Sequence, residues 1–288
     1  MSYIVFAWLT SVTYGLGSVV GKIATRHHVA NPWLYNIVWW IVTVTSIVPF
    51  AIAGGVGWPQ DWGSILWLSL ANAVSGVFFV LAFYAVDLSI LSPLASLRVP
   101  ISAIIGALFF REALTVFQQM LIGVIFLAGM FVNMDERFSF GAVFSKRTSL
   151  AFIWIFTSVW FNSMIKEASL HNGFWEVSLW SNVIGLVMTL VTVPLFLHDL
   201  RKTPVSRYQG IVISTILFTI GMLFSVKALG ENVGISMAII SLPLAMVMTM
   251  ILSFFAPKLL EKHTAKVYAI RLVSAAVMVL AALRLSIN

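Results

Sequence analysis

No cysteine occurs in the 288 residues, which excludes disulfides, thiol catalysis and thiolate metal sites. Charge is also scarce. Only 9% of residues are Asp, Glu, Lys or Arg, against about 25% in ordinary soluble domains. No HExxH, nucleophile elbow, phosphate loop or pair of catalytic carboxylates is present. His27 and His28 are adjacent in a loop, which is poor geometry for a metal. These absences argue against an enzyme and call for neither cofactor nor metal.

What the chain does have is apolar length. Hydrophobic residues make up 60% of it, more than a soluble fold can remove from its surface. The apolar runs reach about 20 residues, the length that crosses roughly 30 Å of hydrocarbon. The sequence therefore reads as an all-α integral membrane protein, with a prokaryotic inner (plasma) membrane as the expected location. The net charge of +7 needs no nucleic-acid partner, because Lys and Arg sit in short connections between apolar segments. The opening "MSYIVFAWLTSVTYGLGS" lacks a basic lead and a small-residue cleavage site, and reads as a retained first span.

Breaking the sequence at its polar clusters predicts ten transmembrane helices over 3–24, 33–53, 63–86, 89–110, 116–134, 149–167, 174–197, 208–228, 233–255 and 266–286. The first, third, fifth, seventh and ninth connections carry eleven Lys or Arg, the opposite side four. That bias places the odd connections in the cytoplasm and both termini outside. Several features recur at a near-constant offset: Lys22 and Lys166 are 144 apart, Pro49 and Pro194 are 145, Pro100 and Pro243 are 143. Residues 1–140 and 141–288 thus read as two five-helix repeats. Five is odd, so the second copy enters the membrane inverted, the arrangement of carriers whose solute site lies at the repeat interface near the midplane.

The run "LSPLASLRVPISAIIGALFFREALTVFQQMLIGVIFLAGMFV", residues 91–132, carries Pro100 within a helix, Glu112 with Leu114 and Thr115 closing it, and Gly123 and Gly129 in the next. It resembles the end of an EamA-type half in the drug/metabolite transporter superfamily. The second half departs from that pattern at "FFAPKLLEKHT", where Glu261 only roughly matches Glu112. The resemblance implies a ten-helix inverted-repeat carrier that moves small metabolites, often outward. It names no substrate.

Arg98 is the residue that most demands an explanation. It lies about ten residues into the fourth predicted helix, where an arginine costs roughly 2.5–3.5 kcal/mol and should face a cavity or a partner. Glu112, about 21 Å along a helix, and Asp87, about 16 Å, are both out of reach. Arg98 therefore faces a substrate anion, or else snorkels or pairs with a buried polar group. Pro93, Pro100 and Pro243 each remove a backbone donor, and freed carbonyls at membrane depth survive only in protein or beside a polar cavity. These prolines are the expected helix breaks or hinges.

Ser102 shares the Arg98 face one turn on. Tyr14, Ser18 and Lys22, and likewise Ser158, Asn162 and Lys166, recur at i, i+4, i+8, each a polar stripe with a cation at its end. Such stripes either line a cavity or make interhelical hydrogen bonds. Asn36, Asn72 and Asn182 are weaker candidates, and "GSVVG" at 17–21 permits close helix approach. No carboxylate falls mid-helix, so a proton-coupled carrier of cations fits poorly.

The expected substrate-binding set is Arg98, Tyr14, Ser18, Ser102, Asn162 and Ser241. The expected partners are a small solute bearing a carboxylate, such as an amino acid, and the lipid bilayer; coupling ion and oligomeric state are left open. A phosphorylated-metabolite or nucleotide-sugar carrier is the alternative within the class, and a non-transporting assembly or lipid-binding protein the alternative outside it.

Overall fold

The computed structural model describes residues 2–132 except 87, 89, 90, 92 and 93, together with 149–255 and 265–287. Among these residues the secondary structure is helix joined by short turns and connections, with no strand. The main helices are α1 (Tyr3–His27), α2 (Pro32–Ala53), α3 (Trp62–Ala85), α4 (Arg98–Phe109), α5 (Val116–Val132), α6 (Ser149–His171), α7 (Phe174–Thr189), α8 (Gln209–Glu231), α9 (Val233–Ile240), α10 (Leu244–Phe255) and α11 (Ala265–Ile287).

Seven stretches are long and apolar enough to cross a bilayer: Tyr3–Thr25, Pro32–Ala53, Trp62–Ala85, Phe174–Leu195, Val205–Glu231, Val233–Leu252 and Ala269–Ile287. Ala95–Phe109 and Val116–Phe131 are shorter apolar helices. Helix α6 has the length to cross but carries Lys166, Glu167 and a run of hydroxyl and amide side chains. The apolar side chains at the outer surface, among them Ile41, Phe50, Trp67, Leu108 and Val191, suit contact with lipid.

Helix starts are set by short polar side chains that accept the first free backbone N–H groups. Ser2 accepts from Ile4, Asn31 from Trp33 and Leu34, Asp61 from Gly63 and Ser64, and Asn232 from Ile235. Pro32 follows Asn31 at the start of α2, where its missing N–H costs nothing.

Two long crossings hold the bundle together. Helix α1 runs along α8, and α3 runs along α6. Without water to expel, such contacts rest on close packing and on small residues, which is the role the GxxxG spacing predicts. A methyl added at Gly17 would meet the Phe218 ring at 2.8 Å, and one at Gly21 would meet Ser214 Oγ at 2.7 Å. Across the same seam the Ser214 hydroxyl donates to the Gly17 carbonyl at 2.8 Å, and Thr10 Oγ1 to that of Gly221 at 3.2 Å. Helices α5 and α11 pack on each other.

Three predicted spans are not single α-helices. Before Arg98 the chain forms a 3-10 turn over Ala95–Leu97, so Pro100 stands in the first turn of α4 rather than in mid-helix. The seventh span passes into 3-10 helix at Leu190–Leu195 around Pro194. The ninth breaks at 241–243 between α9 and α10. There Pro243 has no N–H to give, and the Leu244 N–H turns back to the Leu242 carbonyl at 2.8 Å.

The two ends of the bundle are held differently. On one face, here called the basic face, Asn31 donates to Asp199 and to the Leu195 carbonyl, beside the segment that carries Arg201, Lys202 and Arg207. On the opposite face the Asn172 amide binds Asp61 and Ser64, joining the end of α6 to the start of α3. Glu112 accepts from the Val233 N–H at 2.7 Å and the Gly234 N–H at 3.0 Å, capping α9 from the other half of the chain. Arg111 adopts a left-handed backbone, φ 52°, which ends α4 and turns Glu112 toward α9.

Candidate functional site

A cavity of about 190 Å³ lies between α1, α2, α3, α6, α7 and α8 and the two interrupted segments near Arg98 and Ser241. No described residue of α5 or α11 lines it. Its depth follows from counting residues at 1.5 Å rise from the opposite face. Asn182 and Ser241 are about 12 Å in, Asn162 about 14 Å and Asn72 about 15 Å. Tyr14 and Arg98 are each about 17 Å in, and Phe79 and Trp154 about 26 Å. The cavity thus has an amide- and hydroxyl-rich floor and an aromatic upper wall that extends toward the basic face.

Arg98 stands at the junction of the two zones, at the first residue of α4 after the 3-10 turn. Its Nε donates to the Ala95 carbonyl at 3.1 Å, and its guanidinium carbon lies 4.9 Å from the centre of the Trp154 ring. The side chain is half-buried and lines the cavity. Among the described residues no carboxylate lies within ion-pair distance of it. The fork is therefore oriented by one carbonyl and one aromatic face while its terminal N–H groups remain for a ligand. A planar guanidinium held in this way matches a carboxylate or phosphate through two parallel hydrogen bonds.

The aromatic wall is contiguous. Trp39 and Phe218 ring centres are 4.6 Å apart, Phe79 and Trp154 5.3 Å, and Tyr14 and Phe218 5.4 Å. Among the described residues, four further polar atoms are buried with no protein partner while their residues line the cavity: Ser11 Oγ, Asn36 Nδ2, Trp40 Nε1 and Ser241 Oγ. Unmatched buried donors and acceptors are costly, and on a cavity wall a ligand or water satisfies them.

Five of the expected residues meet at this cavity: Arg98, Tyr14, Ser18, Asn162 and Ser241. Ser102 does not line it; the residue is fully buried and its hydroxyl has no partner among the described residues. Pro93 lies outside the described residues, as do Asp87 and Glu261. Pro243 sits in the break beside Ser241. The two polar stripes divide in the same way. Ser158 joins Asn162 on the lining, whereas Lys22 and Lys166 turn to backbone carbonyls instead. Ser11 and the α2 set Asn36, Trp40 and Thr43 complete the wall. The α2 set was detectable as an i, i+4, i+7 pattern.

No family profile and no curated protein matches this chain. A solved structure described only as the crystal structure of a protein is similar over 97% of this chain and 98% of its own, with a TM-score of 0.67 and 17% sequence identity. At that identity the likeness is one of fold.

Proposed function

We propose that the protein is an alternating-access carrier for a small anionic metabolite, with a free amino acid or a similar carboxylate-bearing solute as the first choice. The observation that carries this is the Arg98 guanidinium, half-buried at the wall of a mid-depth cavity and held, among the described residues, by the Ala95 carbonyl and the Trp154 ring. A buried cation without a counter-charge is expensive, and a bound anion removes that cost. The amide floor supplies hydrogen bonds for a second polar group, and the aromatic wall accepts an apolar side chain.

Membership of the EamA-type branch of the drug/metabolite transporters, with ten helices in two inverted repeats, is part of the same reading. Two regularities support it. The interrupted helices at Arg98 and Ser241 are 143 residues apart and both face the cavity. Lys22 and Lys166, 144 apart, make the same kind of contact with the C-terminal ends of α3 and α8. The excess of Lys and Arg places the basic face in the cytoplasm, and net export is the direction the resemblance favours. No bond-breaking chemistry and no cofactor belong to this mechanism.

The test is thermal stabilisation of purified protein across amino acids, organic anions, phosphorylated metabolites and sugar nucleotides. At least one class of anion should stabilise the native protein, and Arg98→Gln should remove the effect. Stabilisation by no solute, or an undiminished effect in Arg98→Gln, would sink the reading.

A further inference from the structure

Lys22 and Lys166 are not used by the solute site, yet they occupy equivalent and opposed positions. Lys22 lies on α1 near the basic face and is 4% exposed. Its ammonium donates to the carbonyls of Phe83 at 2.6 Å and Val86 at 2.7 Å, where α3 ends, and lies 5.3 Å from the Phe83 ring centre. Lys166 lies on α6 near the opposite face and donates to the carbonyls of Gly230 at 2.8 Å and Glu231 at 2.6 Å, where α8 ends. The last carbonyls of a helix lack intrahelical donors, and they concentrate the negative end of its dipole. An ammonium is well matched to that position.

What these contacts join matters more than their strength. Helices α1 and α8 form one packed pair, and α3 and α6 form the other. Lys22 reaches from the first pair to the second on the basic face. Lys166 reaches from the second pair to the first on the opposite face. The surroundings differ, however. Near Lys166 the α6 and α8 backbones also pack together, whereas α1 and α3 scarcely approach each other. On the basic face, which the aromatic end of the cavity approaches, the lysine arm links two helices whose backbones do not pack directly, its stem buried beside Phe83.

We infer that Lys22 and Lys166 are the two gating residues of the carrier, each an ammonium latch that favours closure of one face. This rests on the alternating-access reading above. Rocking one helix pair against the other to open the basic face stretches the Lys22 contacts and leaves those of Lys166 in place. Rocking the other way does the reverse. Each lysine therefore acts by positioning helices, without touching solute. Removing at least two charge-assisted hydrogen bonds shifts the population ratio of the two states by about tenfold or more.

The absence of native cysteine makes a single reporter clean. Ser158→Cys places one thiol on the cavity wall, and a membrane-impermeant maleimide is applied to sealed vesicles of each orientation. Lys22→Met keeps the aliphatic stem and removes only the donors; it should raise labelling from the basic face about tenfold and not from the other. Lys166→Met should do the opposite, and Lys→Arg at either site should restore most of the protection. Equal changes on both faces, or none, would overturn the assignment. So would Lys22→Met protein that fails to accumulate in folded form, since that makes the contact a requirement of folding. The readout needs no solute, so reciprocal labelling combined with a failed solute panel would support the latches while removing the Arg98 reading.

Discussion

Glu112→Ala tests how the two halves of the chain are tied together. In the native protein the Glu112 carboxylate accepts two backbone N–H groups, from Val233 at 2.7 Å and Gly234 at 3.0 Å. Hydrogen bonds to a charged group contribute about 1.5–3 kcal/mol, and a carboxylate at a helix N-terminus adds about 0.3–1 kcal/mol. Asn232 still satisfies the Ile235 N–H at 2.8 Å, so α9 keeps part of its cap, and the loss of two such bonds should be about 3–6 kcal/mol. Glu176→Ala is the control. It removes one contact, to the exposed Gly57 N–H at 2.9 Å, and because solvent screens that exposed carboxylate the cost should be about 0.5–1.5 kcal/mol. Gly106→Ala offers a second route to the same latch, because a methyl there would lie 2.6 Å from Glu112 Oε2 and push the carboxylate aside. Unfolding in detergent, followed by tryptophan fluorescence, gives the ranking. Glu112→Ala no more destabilised than Glu176→Ala would refute the claim that this carboxylate clamps α9.

Two further outcomes concern the helix seams. Gly21→Val should destabilise the α1–α8 crossing by about 1–3 kcal/mol through overpacking, since Ser214 Oγ and Tyr35 Oη leave no space for a side chain; an unchanged melting profile contradicts the packing described. The Asp61 carboxyl is held below the usual carboxylate range by the Ser64 hydroxyl first; desolvation, the next-largest influence, opposes this, and the Ser64 and Gly63 N–H groups and His171 outweigh it. A depressed carboxylate contributes stability that is fully present above its ordinary range and is lost as pH falls through the lowered value. Acid titration of unfolding should therefore lose a component in Asp61→Asn, and identical pH profiles for the two proteins would count against it.

Much of the helix layout was legible in the sequence because bilayer thickness constrains segment length and polar clusters mark the turns. The predicted starts at 3, 116, 149 and 174 coincide with α1, α5, α6 and α7. The interruptions were harder to place. Proline indicates that a helix is disturbed, yet whether it kinks the middle or opens a new segment depends on the preceding turn, as Ala95–Leu97 shows. Within the site, periodicity identified which residues share a face but not what that face meets. Tyr14 and Ser18 line the cavity while Lys22, one turn further along the same stripe, caps α3. Ser102 follows Arg98 by one turn and is nevertheless buried away from the cavity wall. The caps on α9 and α8 could not be read from sequence at all. Glu112 and Val233 are 121 residues apart, Lys166 and Gly230 are 64, and only tertiary packing brings them together.

The central claim is that Arg98 selects a solute by its negative charge. The most direct measurement is the dissociation constant of an amino acid that stabilises the protein, compared with that of its neutral amide. Two charge-assisted hydrogen bonds to a rigid guanidinium should favour the carboxylate by about tenfold to a hundredfold in the native protein, and Arg98→Gln should bind the two forms nearly equally. Equal binding of acid and amide by the native protein, or a preference that persists in Arg98→Gln, would contradict the account.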